Sequence, residues 1–116
     1  AEVFNFTLKS IPNLIKNLAE NAGKTVQDFD YVLMHQANGF MLRHIAKKAK
    51  LASERVPINI GNFGNTSSAT IPLLLCNEVD LSKPASYGLF GFGVGFSWAA
   101  ASLTIGPVSF SDTVYL

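Results

Sequence analysis

The sequence predicts an α/β fold with a mixed sheet, helices packed on that sheet and a C-terminal β-hairpin. Three observations support this. Apolar residues recur at three- and four-residue intervals in several stretches, short apolar runs of strand length lie between those stretches, and beyond residue 84 the pattern changes to long runs of aromatic and small residues. At 116 residues the chain fits one domain, 1–116. A domain of that size buries roughly two thirds of the surface its unfolded chain exposes.

The elements follow in order. Val3, Phe4, Phe6, Leu8, Ile11, Leu14, Ile15, Leu18 and Ala19 form one apolar stripe, so residues 2 to 22 read as an amphipathic helix that stops at Gly23, with Pro12 marking where it would kink. Thr25 to Asp28 has the pattern of an N-cap and a short helical turn. Tyr31 to Met34 is a short apolar strand leading into His35, and residues 39 to 50 form a second helix. Pro57 to Ile60 reads as a second buried strand, after which Gly61, Asn62, Gly64 and Asn65 force a turn. Thr66 or Ser67 caps a third helix, whose apolar face uses Ala69, Ile71, Leu74, Leu75 and Val79; Pro72 is tolerated near its start. Residues 85 to 92 and 96 to 105 read as a hairpin of two long buried strands around Gly91, Gly93 and Gly95, and residues 107 to 116 as a tail able to add an edge strand.

Composition limits the function. Hydrophobic residues make up 48% and charged residues 15%, more apolar and less charged than a typical soluble domain, so part of this surface is expected to meet another domain or subunit. A net charge of +1 gives no footprint for nucleic acid, and Arg43, Lys47, Lys48 and Lys50 read as one solvated helix face. No apolar run is long enough for a membrane span, since Leu89 to Leu103 is broken by glycines and serines, and no signal-peptide pattern opens the chain. The single cysteine, Cys76, fits a reducing cytoplasmic location and reads as a packing residue on the third helix. His35 and His44 lie nine apart without a Cys or carboxylate at ligand spacing, so no metal site is expected.

Two short segments carry chemistry. His35-Gln36-Ala37-Asn38 and Gly64-Asn65-Thr66-Ser67 each put hydrogen-bonding side chains where, on this reading, a strand gives way to a turn or helix. Taken singly, His35 reads as a strand-end histidine with a satisfied hydrogen bond and Asn65 as a turn residue after Gly64. Together they offer two neutral donors, the imidazole Nε2–H and the carboxamide N–H, that two neighbouring strands would deliver to one pocket.

These segments, with Glu2-Val3-Phe4, the continuation Ser68-Ala69-Thr70-Ile71-Pro72 and the run Gly91-Phe92-Gly93-Val94-Gly95-Phe96-Ser97-Trp98, occur in an order and spacing that resemble the C-terminal half of a ketoacyl synthase III, the 3-oxoacyl-(acyl carrier protein) synthase III of the thiolase superfamily. The likeness extends from about residue 1 to 105. It implies a thiolase-like half and a decarboxylative Claisen condensation in fatty acid biosynthesis, in which a malonyl thioester loses carbon dioxide and its enolate attacks an acyl group on a cysteine. That nucleophilic cysteine belongs to the N-terminal half, which this chain lacks, so the chain by itself is expected to be inactive.

The resemblance assigns His35 and Asn65 to the enolate oxygen, the Val94 backbone N–H to the oxyanion hole, Phe92 to a gate beside the cysteine, and Phe4 and Asn38 to the pantetheine arm. Read without it, Phe4 and Phe92 are ordinary core aromatics and His44 has no partner. The chain departs from the family at Val94, where glycine is usual, and at Phe40, where the family often has a basic residue used on the carrier; Arg43, nearly one turn on, is the candidate substitute. The implied partners are the N-terminal half, a second copy in a homodimer, acyl carrier protein and acyl-CoA. No cofactor is implied beyond the phosphopantetheine of the substrates. Two alternatives stay open: a secondary-metabolite acyltransferase of the same superfamily, and a non-catalytic module that binds an acyl carrier or packs on a partner.

Overall fold

The fold begins with helix α1 (Glu2–Asn21), in which Ile11, Ile15 and Ala19 recur every fourth residue and form a buried face while Lys9, Lys16 and Glu20 remain in water. The helix continues unbroken through Pro12 and ends in a Schellman motif. Gly23 takes φ +69°, its N–H donates to the Glu20 carbonyl at 3.0 Å, and the Lys24 N–H donates to the Ala19 carbonyl at 2.8 Å. A 3-10 turn at Val26–Asp28 follows, with the Asp28 carboxylate accepting the Thr25 N–H at 2.8 Å, as the capping pattern predicts. The computed structural model describes residues 2–93, 97–109 and 111–116.

Strand β1 (Tyr31–Met34) leads through Asn38 into helix α2 (Gly39–Lys48), which turns Met41, Leu42, Ile45 and Ala46 inward. After a 3-10 turn at Ser53–Arg55 come the single-turn helix α3 (Ile60–Phe63), a 3-10 turn at Ser67–Ala69 and helix α4 (Thr70–Asn77). Pro72 falls in the first turn of α4, where an N–H would have no helical partner, so its missing donor costs nothing. Strands β2 (Ala85–Gly93) and β3 (Ser97–Ile105) are the last regular elements among the described residues.

The described strands form a sheet in the order β1, β2, β3. β1 runs parallel to β2, with Met34 opposite Phe90, and β2 runs antiparallel to β3, with Phe92 opposite Trp98, so the sheet is mixed as expected. Alternation along β1 divides the core in two. Val32 and Met34 join Phe90, α1 and α2 on one face, whereas Leu33 joins Tyr87, Leu74 and Leu81 on the other. Covered on both faces, β1 reads in sequence as an uninterrupted apolar run.

Four expectations need correction. Pro57 to Ile60 forms no strand: Asn59 sits at φ −127°, ψ 15°, and the chain turns directly into α3. Apolar residues around Asn59 over four positions do not distinguish a strand from a loop, and the N–H of the buried Asn59 is taken by a side chain, not by a neighbouring strand. Asn65 therefore follows a short helix. The third helix starts later than predicted, at Thr70, with Ala69 at the cap position and neither Thr66 nor Ser67 capping it, because Ser67 turns left-handed at φ 53°. β3 is mostly exposed along its length, with Trp98 at 47% and Leu103 at 37%. The tail adds no strand among its described residues; instead the Val108 N–H donates to the Leu81 carbonyl at 2.8 Å and Asn77 Nδ2 to Thr113 Oγ1 at 2.9 Å.

Candidate active site

The C-terminal end of β1 opens into a cleft of about 960 Å³ between α1, α2, the loop that carries Asn65, and β2. Five of the six residues singled out from sequence line it: Phe4, His35, Asn38, Asn65 and Phe92. The sixth, Val94, lies outside the described residues.

His35 is held by its backbone and partly enclosed. Its N–H extends the parallel ladder by donating to the Phe90 carbonyl at 3.0 Å, and Phe92 meets the imidazole edge-on, with centroids 5.6 Å apart and planes at 89°. Partial burial lowers its pKa below the ordinary 6.5, because an apolar setting disfavours the charged ring. At neutral pH the imidazole is therefore neutral, with one N–H to donate.

Asn65 is prepared in a different way. Gly64, at φ +69° and ψ −160°, occupies a region of backbone space open essentially to glycine and turns the chain out of α3. Asn65 Oδ1 then accepts the Ser67 N–H at 3.0 Å in a local turn. Because the carbonyl oxygen is committed to Ser67, the Asn65 amide has its NH₂ left to offer. Asn38 shows the same economy: its Oδ1 caps α2 by accepting the Met41 N–H at 3.2 Å, and its Nδ2 remains available.

At the rim, Phe4 stacks on Phe40 at 6.3 Å and 12°, and Phe40 stacks on His44 at 6.4 Å and 29°. Phe40 is 62% exposed. Arg43 is exposed, as is His44, and its guanidinium folds back over Gly39 beside this aromatic row. Cys76 is partly buried on α4 and does not line the cleft. Among the described residues no group of three or more side chains could hold a metal ion, and no helix is long and apolar enough to cross a membrane.

Sequence reasoning missed Gln36, Thr7 and Thr70. All three are buried, and Thr7 and Thr70 line the cleft. A polar residue two positions beyond a buried strand was the available signal for Gln36, since such a group needs partners if it is buried.

Known proteins resemble this chain over most of its length. Residues 19–105 match the family model described as the C-terminal region of 3-oxoacyl-(acyl-carrier-protein) synthase III. The chain is 41% identical over 110 residues to the beta-ketoacyl-(acyl-carrier-protein) synthase III of Synechococcus elongatus, covering 92% of this chain and 33% of that protein. It is also 41% identical over 106 residues to the enzyme of that name from Acholeplasma laidlawii, covering 90% and 34% respectively. The crystal structure of a 3-oxoacyl-(acyl-carrier protein) synthase from Burkholderia xenovorans LB400 superposes with a TM-score of 0.92 at 51% identity, over 97% of this chain and 33% of the other. The chain thus spans about a third of the length of the relatives it matches and has the thiolase-like fold of that portion. It belongs to the 3-oxoacyl-(acyl-carrier-protein) synthase III family, as a C-terminal domain of that family.

Proposed function

We propose that this chain is the C-terminal catalytic domain of a ketoacyl synthase III that condenses malonyl-acyl carrier protein with an acyl-CoA primer in fatty acid biosynthesis. The observation that carries the reading is that His35 and Asn65, from separate segments, line one cleft as two neutral donors. Loss of carbon dioxide from a malonyl thioester moves negative charge onto the thioester oxygen, and preorganised donors in a sheltered site stabilise that charge. Neither donor is cationic at neutral pH, so neither would trap the product enolate as an ion pair.

The remaining roles are those the family resemblance implies. Phe4 and Asn38 line the wall that receives the pantetheine arm, Phe92 stands beside the acylated cysteine, and the Val94 N–H serves its oxyanion hole. The cysteine itself comes from the N-terminal half, and the complete enzyme works as a homodimer. The phosphopantetheine of the two thioester substrates is the only prosthetic chemistry required. Because Phe40 replaces a basic residue, Arg43 is the cation offered to the carrier or to the phosphates of coenzyme A.

The test uses the intact enzyme, this chain together with its cysteine-bearing half. His35→Ala and Asn65→Ala should each lower malonyl decarboxylation on the order of 100-fold or more, while acylation of the cysteine is largely retained. Full decarboxylation by both variants would refute the assignment.

A further inference from the structure

Gln36 follows His35, yet its side chain turns away from the cleft and is only 1% exposed. A buried carboxamide must place a donor and an acceptor, and every group Gln36 uses reaches a segment that builds the site. Nε2 donates to the Met34 carbonyl at 2.9 Å, and Oε1 accepts the Asn59 N–H at 3.0 Å. Its backbone N–H donates to Thr70 Oγ1 at 3.0 Å. Asn59 and Thr70 are themselves 4% and 5% exposed. The Asn59 N–H needs an acceptor, which fixes which end of the carboxamide faces it.

Met34 ends the strand that presents His35. Asn59 begins the segment that passes through α3 to Gly64 and Asn65, and Thr70 opens α4 on the cleft wall. Residues 57–59 pair with no strand, so the carboxamide supplies what a neighbouring peptide group would, one donor and one acceptor bridging two stretches of backbone. We propose that Gln36 is a positioning residue that sets the spacing of His35 and Asn65 by clamping the end of β1 to the segment leading to Asn65. This rests on the reading of that pair as the enolate donors.

Glutamate at this position separates positioning from packing. An ionised Gln36→Glu side chain accepts from Asn59 but cannot donate to the Met34 carbonyl. When protonated it has both an O–H donor and a carbonyl acceptor, and burial raises the pH at which that happens. In the intact enzyme, Gln36→Met should lower kcat for malonyl decarboxylation on the order of 100-fold, the cost of misplacing catalytic groups by about 1 Å, with KM changed by less than about twofold. Gln36→Glu should be similarly impaired at alkaline pH, and its rate relative to wild type should rise as pH falls.

Wild-type rates from Gln36→Met, or a Gln36→Glu to wild-type ratio that does not change with pH, would overturn the proposal. His35→Ala and Asn65→Ala are run alongside: if they retain decarboxylation, the reading of the pair fails independently of Gln36. Should the Gln36 variants not fold, amide exchange in the wild-type protein decides. An Asn59 amide protected as strongly as those of β1 supports the clamp, and exchange at the rate of an exposed loop overturns it.

Discussion

His35 combines two conditions in one side chain: it lines an open cleft, yet it is dry enough that the neutral ring is favoured. Desolvation lowers its pKa from 6.5, so between that value and the folded pKa the unfolded chain binds the proton more readily than the folded one. Stability contributed at this site is therefore complete above about 6.5 and is lost as pH falls through that value, levelling off below the folded pKa. An NMR titration of the His35 imidazole should show a midpoint below 6.5, and decarboxylation by the intact enzyme should hold steady from neutral pH down to that value; a midpoint at or above 6.5 contradicts this. The pair proposed as enolate donors was legible in sequence because a histidine and an asparagine beside turn-forming residues stand out against an apolar background. Gln36 was not, because its importance lies in three partners at Met34, Asn59 and Thr70, two of them more than twenty residues away.

Helices were read well wherever their apolar spacing matched the face they bury, as in α1 and α2. The segment at Pro57 was misread because its half-buried apolar residues pair with no strand, and periodicity over four residues carries no information on pairing. The two well-formed C-caps make a useful contrast. α2 ends with the same hydrogen-bond pattern as α1, the Lys50 N–H donating to the Lys47 carbonyl at 3.1 Å and the Leu51 N–H to the Ala46 carbonyl at 2.9 Å, but the left-handed residue is Lys50 at φ 58° where α1 has Gly23. A side chain in that region is strained, so Lys50→Gly should raise unfolding free energy by about 0.5–1 kcal/mol in chemical denaturation, after the extra freedom of glycine in the unfolded chain is counted. A loss of stability would show that the Lys50 side chain contributes more than its backbone costs.

At the scale of the molecule, the apolar composition pointed to a covered face, and the structure locates the exposed apolar surface along β3. That strand was misread as buried because composition records apolarity, not the element that covers it. β3 has one paired edge, against β2, and the sheet ends there among the described residues. An exposed apolar edge strand is a template for pairing with another chain. Sedimentation of this chain alone should show concentration-dependent self-association, and Ala101→Lys, on an exposed position of β3, should suppress it. Association unchanged by the lysine would place the contact elsewhere. The hairpin register has a further consequence. Trp98, the one tryptophan in the sequence, lies directly opposite Phe92 and packs on Phe6 of α1 with centroids 5.1 Å apart. The fold thus carries its own optical probe, a half-exposed indole on the strand next to the one that borders His35 and against the helix that supplies Phe4, whose emission reports a shift between that helix and the hairpin without an added label.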